Sequence, residues 1–463
     1  MQLDVGCWVL DVPNLRTKIL PSPRTFAQIL RHMKLLVFAH TPPPHHGQSY
    51  MVQLMLEGFG GDQRRKTGGI NHRFGIECYH VNARFSRGLS DVGEFQGVKI
   101  FLIFWFCAQA IWCRFRYGVE NFYYVPAPGK HVALYRDWLV MLLCRPFFKR
   151  IILHWHAAGL AKWLETSVQM HFRTATYRLL KPVDLSIVLS KSVIADAEKL
   201  LSRRIRIVNY GIPDPCPDFV ELILPRRKAR FATRTKWLNG EIPDSSELGR
   251  AGDDPKLIKV LYLAHCMKEK GLFDTLAAMA LANADLLRAN SPVRLHLTVA
   301  GEFVSPADQI EFHKRIEQPD LQIRSGGAAK SCITYIGFVS GERKWNAFIE
   351  SDCFCFPTYY HAESFGLVVV EAMAFGLPVV TTRWRSLPEM FPSNYPGLVS
   401  IQSPDEVAVA LIKLAAQETG ESLREHFLNR FTVERHLEKL AEAIRSVETA
   451  EPTPALQAAT QNP

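Results

Sequence analysis

Two carboxylates eight residues apart, Glu363 and Glu371, frame one turn in the segment CFCFPTYYHAESFGLVVVEAMAFGLPVVTT, residues 353–382. Neither carboxylate suits a phosphate. Both suit hydroxyls, and one placed two turns into a helix can accept bonds from a ribose diol. The residues between them suit an anion. Ser364 has the side chain of an N-cap, and Phe365, Gly366 and Leu367 open a helix whose first amides and dipole attract negative charge. Gly366 lets the backbone come close to a ligand. Taken by itself, the pair reads first as a solvated helix face at Glu371 and a capping aid at Glu363.

A cation stands where a second strand runs into a helix. In KVLYLAHCMKEKG, residues 259–271, a strand ends at Ala264 and Lys270–Gly271 begins a helix. A lysine there can hold a diphosphate as a point charge; in isolation it reads as a solvated lysine. A third strand ends in HWHAAG, residues 154–159. Side chains alternate along a strand, so His154 and His156 share one face and Trp155 takes the other. Core or capping histidines are the plain alternative.

Segment 353–382 resembles the E-x7-E signature of the retaining nucleotide-sugar glycosyltransferases of family 4 (glycosyl transferases group 1), and the likeness continues to Leu387–Pro388–Glu389. The resemblance implies the α/β GT-B fold, two Rossmann-like domains with parallel sheets facing across a cleft. It implies transfer of a sugar from a nucleotide diphosphate to an acceptor hydroxyl with retention, as in cell-surface polysaccharide or glycolipid synthesis. It assigns Glu363 to sugar hydroxyls, Ser364, Phe365, Gly366 and Leu367 to the donor phosphates, Glu371 to the ribose and Lys270 to the diphosphate. His265 stands where the family usually has Arg, which leaves the second phosphate contact in doubt. Gly47, in HTPPPHHG, resembles the glycine that brings a loop under the donor phosphates. His156 resembles the histidine that approaches the donor sugar. Val299–Glu302 and Tyr335–Ser340 resemble structural loops of the donor domain, and Asn209–Asp214 the turn that ends the first domain. The family needs no cofactor beyond the donor and no catalytic metal, so His45 and His46 read as a polar loop. A non-catalytic sugar-nucleotide-binding relative and a nucleotide-sugar epimerase are the alternative functions.

The elements that must position these residues alternate. Strands are expected at Lys34–His40, Ile76–Asn82, Asn121–Val125, Ile151–His154, Leu185–Leu189 and Ile205–Val208. Helices are expected at Ser49–Gly58, Lys99–Tyr117, His131–Arg145 and Lys191–Leu201. Continuous apolar strands imply a parallel sheet covered on both faces. The pattern restarts with strands at Lys259–Ala264, Arg294–Ala300, Ile333–Phe338, Cys353–Phe356, Pro378–Thr381 and Gly397–Ile401. Its helices are Phe273–Ala289, Pro306–Ile316, Glu342–Glu350, Phe365–Phe375, Pro404–Gln417 and Val433–Val447. The expected organisation is an extension over 1–32, an acceptor domain over 33–213, a linker with a polar insertion over 214–256, a donor domain over 257–431, a C-terminal helix over 432–450 and a disordered tail over 451–463.

Charge is divided unevenly. Residues 1–213 carry a net +15 and the remainder a net −5, which points to an anionic partner for the first half or to a solvated basic surface. An anionic membrane surface and a lipid-linked or glycan acceptor fit that charge. The Arg/Lys runs are too short, and too far from any recognised module, for nucleic acid. The apolar run Ile100–Cys113 is shorter than a membrane span and reads as a buried core helix. No secretion signal is evident, and none of the ten cysteines forms a C-x-x-C pair; a reduced cytoplasmic setting, with contact at the inner membrane face, is the expectation.

Overall fold

A computed structural model describes residues 32–448, except 44–46, 66–72, 86–96, 127–128, 253, 326–327 and 417–419. The expectations for residues 1–31, for His45 and His46 and for the tail from 451 lie outside the described residues. The chain divides into two compact units, one running to Tyr210 and resuming at Val433, the other spanning Gly211–Thr432.

The first unit is built on six strands, β1 (Met33–Ala39), β2 (Ile76–Asn82), β3 (Asn121–Tyr124), β4 (Arg150–Trp155), β5 (Leu185–Val188) and β6 (Ile205–Ile207). They lie in the order β2-β1-β3-β4-β5-β6 with every pairing parallel. Helices α1 (Gly47–Gly58), α2 (Gly97–Tyr117), α3 (His131–Cys144), α4 (Leu160–Ser167), α5 (Met170–Leu180) and α6 (Ile194–Lys199) connect them. Both sheet faces are covered, which is why the strands are apolar at successive positions. Leu36, Phe38, Phe122 and Leu153 pack with Cys107, Cys113 and Leu134 of α2 and α3. Leu35, Val37 and Ile152 pack on the other face with Val52 and Met55 of α1 and with Leu440 and Ile444 of the C-terminal helix Val433–Arg445.

The second unit opens with α7 (Leu224–Leu238) and α8 (Ser245–Ala251). The alternation then runs β7 (Leu257–Leu263), α9 (Leu272–Arg288), β8 (Arg294–Ala300) and α10 (Pro306–Ile316). A small antiparallel hairpin, β9 (Gln322–Ser325) and β10 (Ala328–Ser331), precedes β11 (Ile333–Gly337) and α11 (Gly341–Ile349). Next come β12 (Cys353–Phe356), α12 (Leu367–Ala374), β13 (Val379–Thr382), β14 (Leu398–Val399), α13 (Pro404–Ala415) and α14 (Gly420–Arg430). The large sheet is parallel in the order β11-β8-β7-β12-β13-β14. Its order reverses between β7 and β12. In a doubly wound sheet the connections leave in opposite directions at that point and open a crevice at the strands' carboxyl ends.

Three sequence expectations are corrected. The stretch read as a linker with a polar insertion is largely helical in α7 and α8. Its helical face was hidden because it is carried by arginines: Arg230 and Arg234 are buried, bonding to both oxygens of Asp352 and to carbonyls of Pro255 and Leu257. The run Ile100–Cys113 is not a buried core helix. Ile103, Cys107, Ala110 and Cys113 are buried, but Phe101, Phe104, Trp105 and Trp112 are exposed on the opposite side of α2. The helix expected over Lys191–Leu201 begins as a 3-10 turn, Lys191–Val193, and ends at Lys199. Helices α4, α5 and α14 and the hairpin were not foreseen.

Candidate active site

The loops that leave β7 and β12 are the two loops at the switch point of the second sheet, and they are fastened together. The Tyr359 amide donates to the Glu269 carbonyl at 2.8 Å and the Thr358 hydroxyl donates to the same carbonyl at 3.3 Å. Gly271, at φ +79°, caps α9 in the left-handed region, and a Cβ there would lie 2.4 Å from the Pro357 carbonyl oxygen. Only glycine lets the two loops approach so closely.

This approach brings Lys270 and Glu363 together. Lys270 Nζ donates to Glu363 Oε2 at 2.6 Å, and Glu363 is buried to 8 % exposure. The ammonium also lies 4.6 Å from the centre of the Tyr360 ring, a cation–π arrangement that holds it without neutralising it. Tyr360 was not singled out in the sequence, although an aromatic beside a loop lysine is a usable signal. His265 is near enough to Lys270 to feel its charge. Burial, and then the Lys270 charge, lower its pKa below the ordinary histidine value. It is therefore neutral at pH 7 and no substitute for a permanent cation.

Beyond Glu363 the chain does not start its helix at Ser364. Gly366, at φ +74°, is the N-cap of α12, and the helix begins at Leu367. No side chain caps it, so the expected Ser364 cap and the expected start at Phe365 are both corrected. A residue with positive φ sits just ahead of the first turn, and glycine tolerates that backbone where serine would not. The ring of Phe365 is buried in the core. The first amides of α12 thus lack a side-chain acceptor.

Glu371 is not a solvated helix face. It is 5 % exposed and accepts a bond from Lys344 Nζ at 2.6 Å, with Lys344 itself 3 % exposed. Lys344 lies on α11 four residues before the buried Phe348, so it occupies a core position of that helix. A lysine at a core position in GERKWNAFI was the signal, and it was missed.

The loops expected from the family likeness also find places. The Gly301 amide donates to the Gly337 carbonyl at 2.8 Å, and Tyr335 Oη donates to the Gly301 carbonyl at 2.9 Å.

Gly47 and His156 belong to the first unit. Gly47 is the first residue of α1. His154 and His156 do share a face, their rings 4.1 Å apart, while Trp155 points to the opposite core and bonds Ser186. His156 Nδ1 bonds the Tyr210 hydroxyl, and His154 Nδ1 bonds the Tyr123 hydroxyl at 2.6 Å. His436, 6.1 Å from the Tyr210 ring, bonds the Asn209 carbonyl at 2.8 Å. Tyr210 and His436 were not singled out in the sequence, since their distance along the chain conceals them.

Comparison with known proteins agrees with this geometry. Residues 249–432, which contain Lys270, Lys344, Glu363 and Glu371, match the family Glycosyl transferases group 1. Among curated proteins, 106 residues are 32% identical to an uncharacterized 41.2 kDa protein in the cps region of Klebsiella pneumoniae, covering 22% of this chain and 29% of that protein. A stretch of 81 residues is 33% identical to the sulfoquinovosyl transferase SQD2 of Arabidopsis thaliana, over 17% of this chain and 16% of that one. A third, of 69 residues, is 36% identical to the O-antigen chain mannosyltransferase B of Escherichia coli, over 15% and 18%. The chain thus spans less than a third of the length of these relatives.

Solved structures extend the likeness to the whole fold. A glycosyltransferase from Rickettsia africae superposes with a TM-score of 0.58 at 12% identity, covering 90% of this chain and 100% of that one. Anabaena HepE in complex with UDP and glucose gives 0.57 at 14% identity, with the same coverage. The fold is α/β of the GT-B class, two Rossmann-like domains each on a parallel sheet. Among the described residues no helix is long and apolar enough to cross a membrane.

Proposed function

We propose that the chain is a retaining glycosyltransferase that moves a sugar from a nucleotide diphosphate to an acceptor hydroxyl on a glycan or lipid-linked acceptor. One observation carries the reading. A lysine and a carboxylate meet at the switch point of the second sheet, beside the uncapped start of α12, within the segment that matches the glycosyltransferase family.

The chemistry follows from those groups. The bond between the anomeric carbon and the diphosphate oxygen breaks, and negative charge grows on the departing nucleoside diphosphate. Lys270 and the α12 amides stabilise that charge, most strongly in the transition state. The acceptor oxygen bonds the anomeric carbon on the face the diphosphate leaves, and its proton passes to a phosphate oxygen. Glu363 holds the sugar hydroxyls and Glu371, oriented by Lys344, holds the ribose. The family likeness gives His156 the role of positioning the sugar and Gly47 that of a loop beneath the phosphates. The reaction requires no cofactor besides the donor.

His265 favours a second reading. A neutral imidazole where the family usually has a fixed cation weakens the leaving-group site, as expected of a relative that binds sugar nucleotides without transferring them. Incubation with a panel of nucleotide sugars, following nucleoside diphosphate release with and without acceptor extracts, separates the two. Release from one donor supports transfer. Binding without release from any donor rejects it.

A further inference from the structure

Helix α2 is apolar on both sides, and among the described residues only one side packs into the core. Its inner side closes the core of the first unit. Its outer side presents Phe101 at 70%, Phe104 at 48%, Trp105 at 55%, Trp112 at 54% and Phe115 at 70% exposure. Steps of three and four residues place these rings in one stripe along the helix. At its C-terminal end the stripe continues onto Phe147, whose ring meets Phe115 edge-on at 5.9 Å. A contiguous aromatic surface of this kind marks an interaction site rather than ordinary surface.

The surrounding charge identifies the occupant. Between residues 100 and 180 there are ten Lys and Arg against three Asp and Glu. One of the three acids, Asp137, is fully buried. Arg116 stands exposed at the end of the stripe, and Lys149, two residues from Phe147, is 64% exposed and pairs with Glu120 at 2.7 Å. Two copies of so basic a surface would repel, which argues against a homodimer. Tryptophan and phenylalanine flanked by cations are the composition that settles at the headgroup level of an acidic bilayer. The helix cannot cross a membrane, so it would lie in the interface plane with its rings among the acyl chains.

We infer that the α2 stripe docks the first unit on the surface of an anionic phospholipid bilayer. The test is co-sedimentation of the full chain with vesicles of phosphatidylcholine alone and with vesicles of equal phosphatidylcholine and phosphatidylglycerol. The chain is expected to bind the mixed vesicles, to bind less as salt is raised, and to lose at least about tenfold in affinity in the variant Phe104→Glu/Trp105→Glu. Phe115→Ser, at the other end of the stripe, is expected to act in the same direction. These side chains are exposed, so circular dichroism is expected to be unchanged. Equal binding by wild type and both variants overturns the inference, as does equal binding to neutral vesicles. A wild type that stays unbound but sediments as a dimer, dissociated by the same substitutions, assigns the stripe to a second copy and also overturns it. Lipid binding is read without any donor, so the outcome is independent of the transferase reading.

Discussion

Lys270 and Glu363, ninety-three positions apart in sequence, form an ion pair at 2.6 Å across the two loops of the switch point. The groups proposed to hold a diphosphate and a sugar are each other's partners. Donor binding must redirect the ammonium from a carboxylate to phosphates, and that competition separates their roles. Lys270→Ala should weaken binding of free UDP or GDP about tenfold to a hundredfold, the value of one or two charge-assisted bonds. Glu363→Gln should bind the free nucleotide at least as tightly as wild type, because Lys270 is released, yet lose transfer about a hundredfold or more. Isothermal titration on both variants checks this. Weaker nucleotide binding by Glu363→Gln would remove the assigned division of labour.

The buried pair Lys344–Glu371 predicts a different pattern. Lys344→Met leaves a carboxylate without its partner in the core and should cost about 3–5 kcal/mol. The double variant Lys344→Met/Glu371→Leu should recover most of that stability, since an apolar pair of similar volume avoids the desolvation penalty. It should not recover nucleotide binding, because the proposed ribose contact is gone. Urea unfolding beside nucleotide titration distinguishes the two effects. A double variant as unstable as the single one would show that the ion pair is not the source.

What could be read in the sequence divides along a physical line. The strand ends before His265 and Pro357 were visible because buried parallel strands are continuous apolar runs, and the chemistry lies where they stop. The alternation of side chains along a strand gave the shared face of His154 and His156. Helix α7 was not visible because its buried side is arginine, and arginine enters a core only when a distant Asp352 meets it. Lys344 escaped for the same reason, its partner Glu371 being twenty-seven residues away. Ser364 has the side chain of a cap, but the left-handed backbone at Gly366 decides where α12 begins. The outer stripe of α2 is not legible because periodicity cannot tell an apolar face that is buried from one that is exposed.

The histidines of the first unit predict an acid-sensitive core. Burial lowers His154 well below the ordinary histidine value, with His156 and His436 adding to the effect. Burial also lowers His436 to about 4, against a bond to the Asn209 carbonyl that raises it. A histidine held neutral in the fold binds its proton more readily when unfolded. Its contribution is complete above about pH 6.5 and is lost as pH falls toward 4. His436 alone should cost about 3 kcal/mol across that window. Native-state hydrogen exchange over β4 and the C-terminal helix, at about pH 7 and about pH 5, should show faster global opening at the lower value. His436→Gln should flatten part of that slope; an unchanged slope would exclude His436 as a source.

Asp352 is the anchor of α7, and its pH dependence has the same sign as that of the histidines but a different cause. Burial by itself would raise its pKa, but Arg234 and Arg230, with the Lys259 amide, hold it down to about 2. Its carboxylate accepts from Arg230 Nε and Nη2, both at 3.1 Å, and from Arg234 Nη2 at 2.9 Å. That stability is complete above about pH 3.9 and is lost as pH falls through 2. At neutral pH, Asp352→Asn keeps the shape but strands two buried guanidinium groups, and should cost about 3–5 kcal/mol. Because Asp352 meets both buried guanidinium groups of α7, the loss should appear first as protease cleavage within 224–238. Limited proteolysis of the variant reads it directly. Cleavage no faster than in wild type would mean that α7 is held by its other contacts, such as Arg227 to the carbonyls of Phe375 and Gly376.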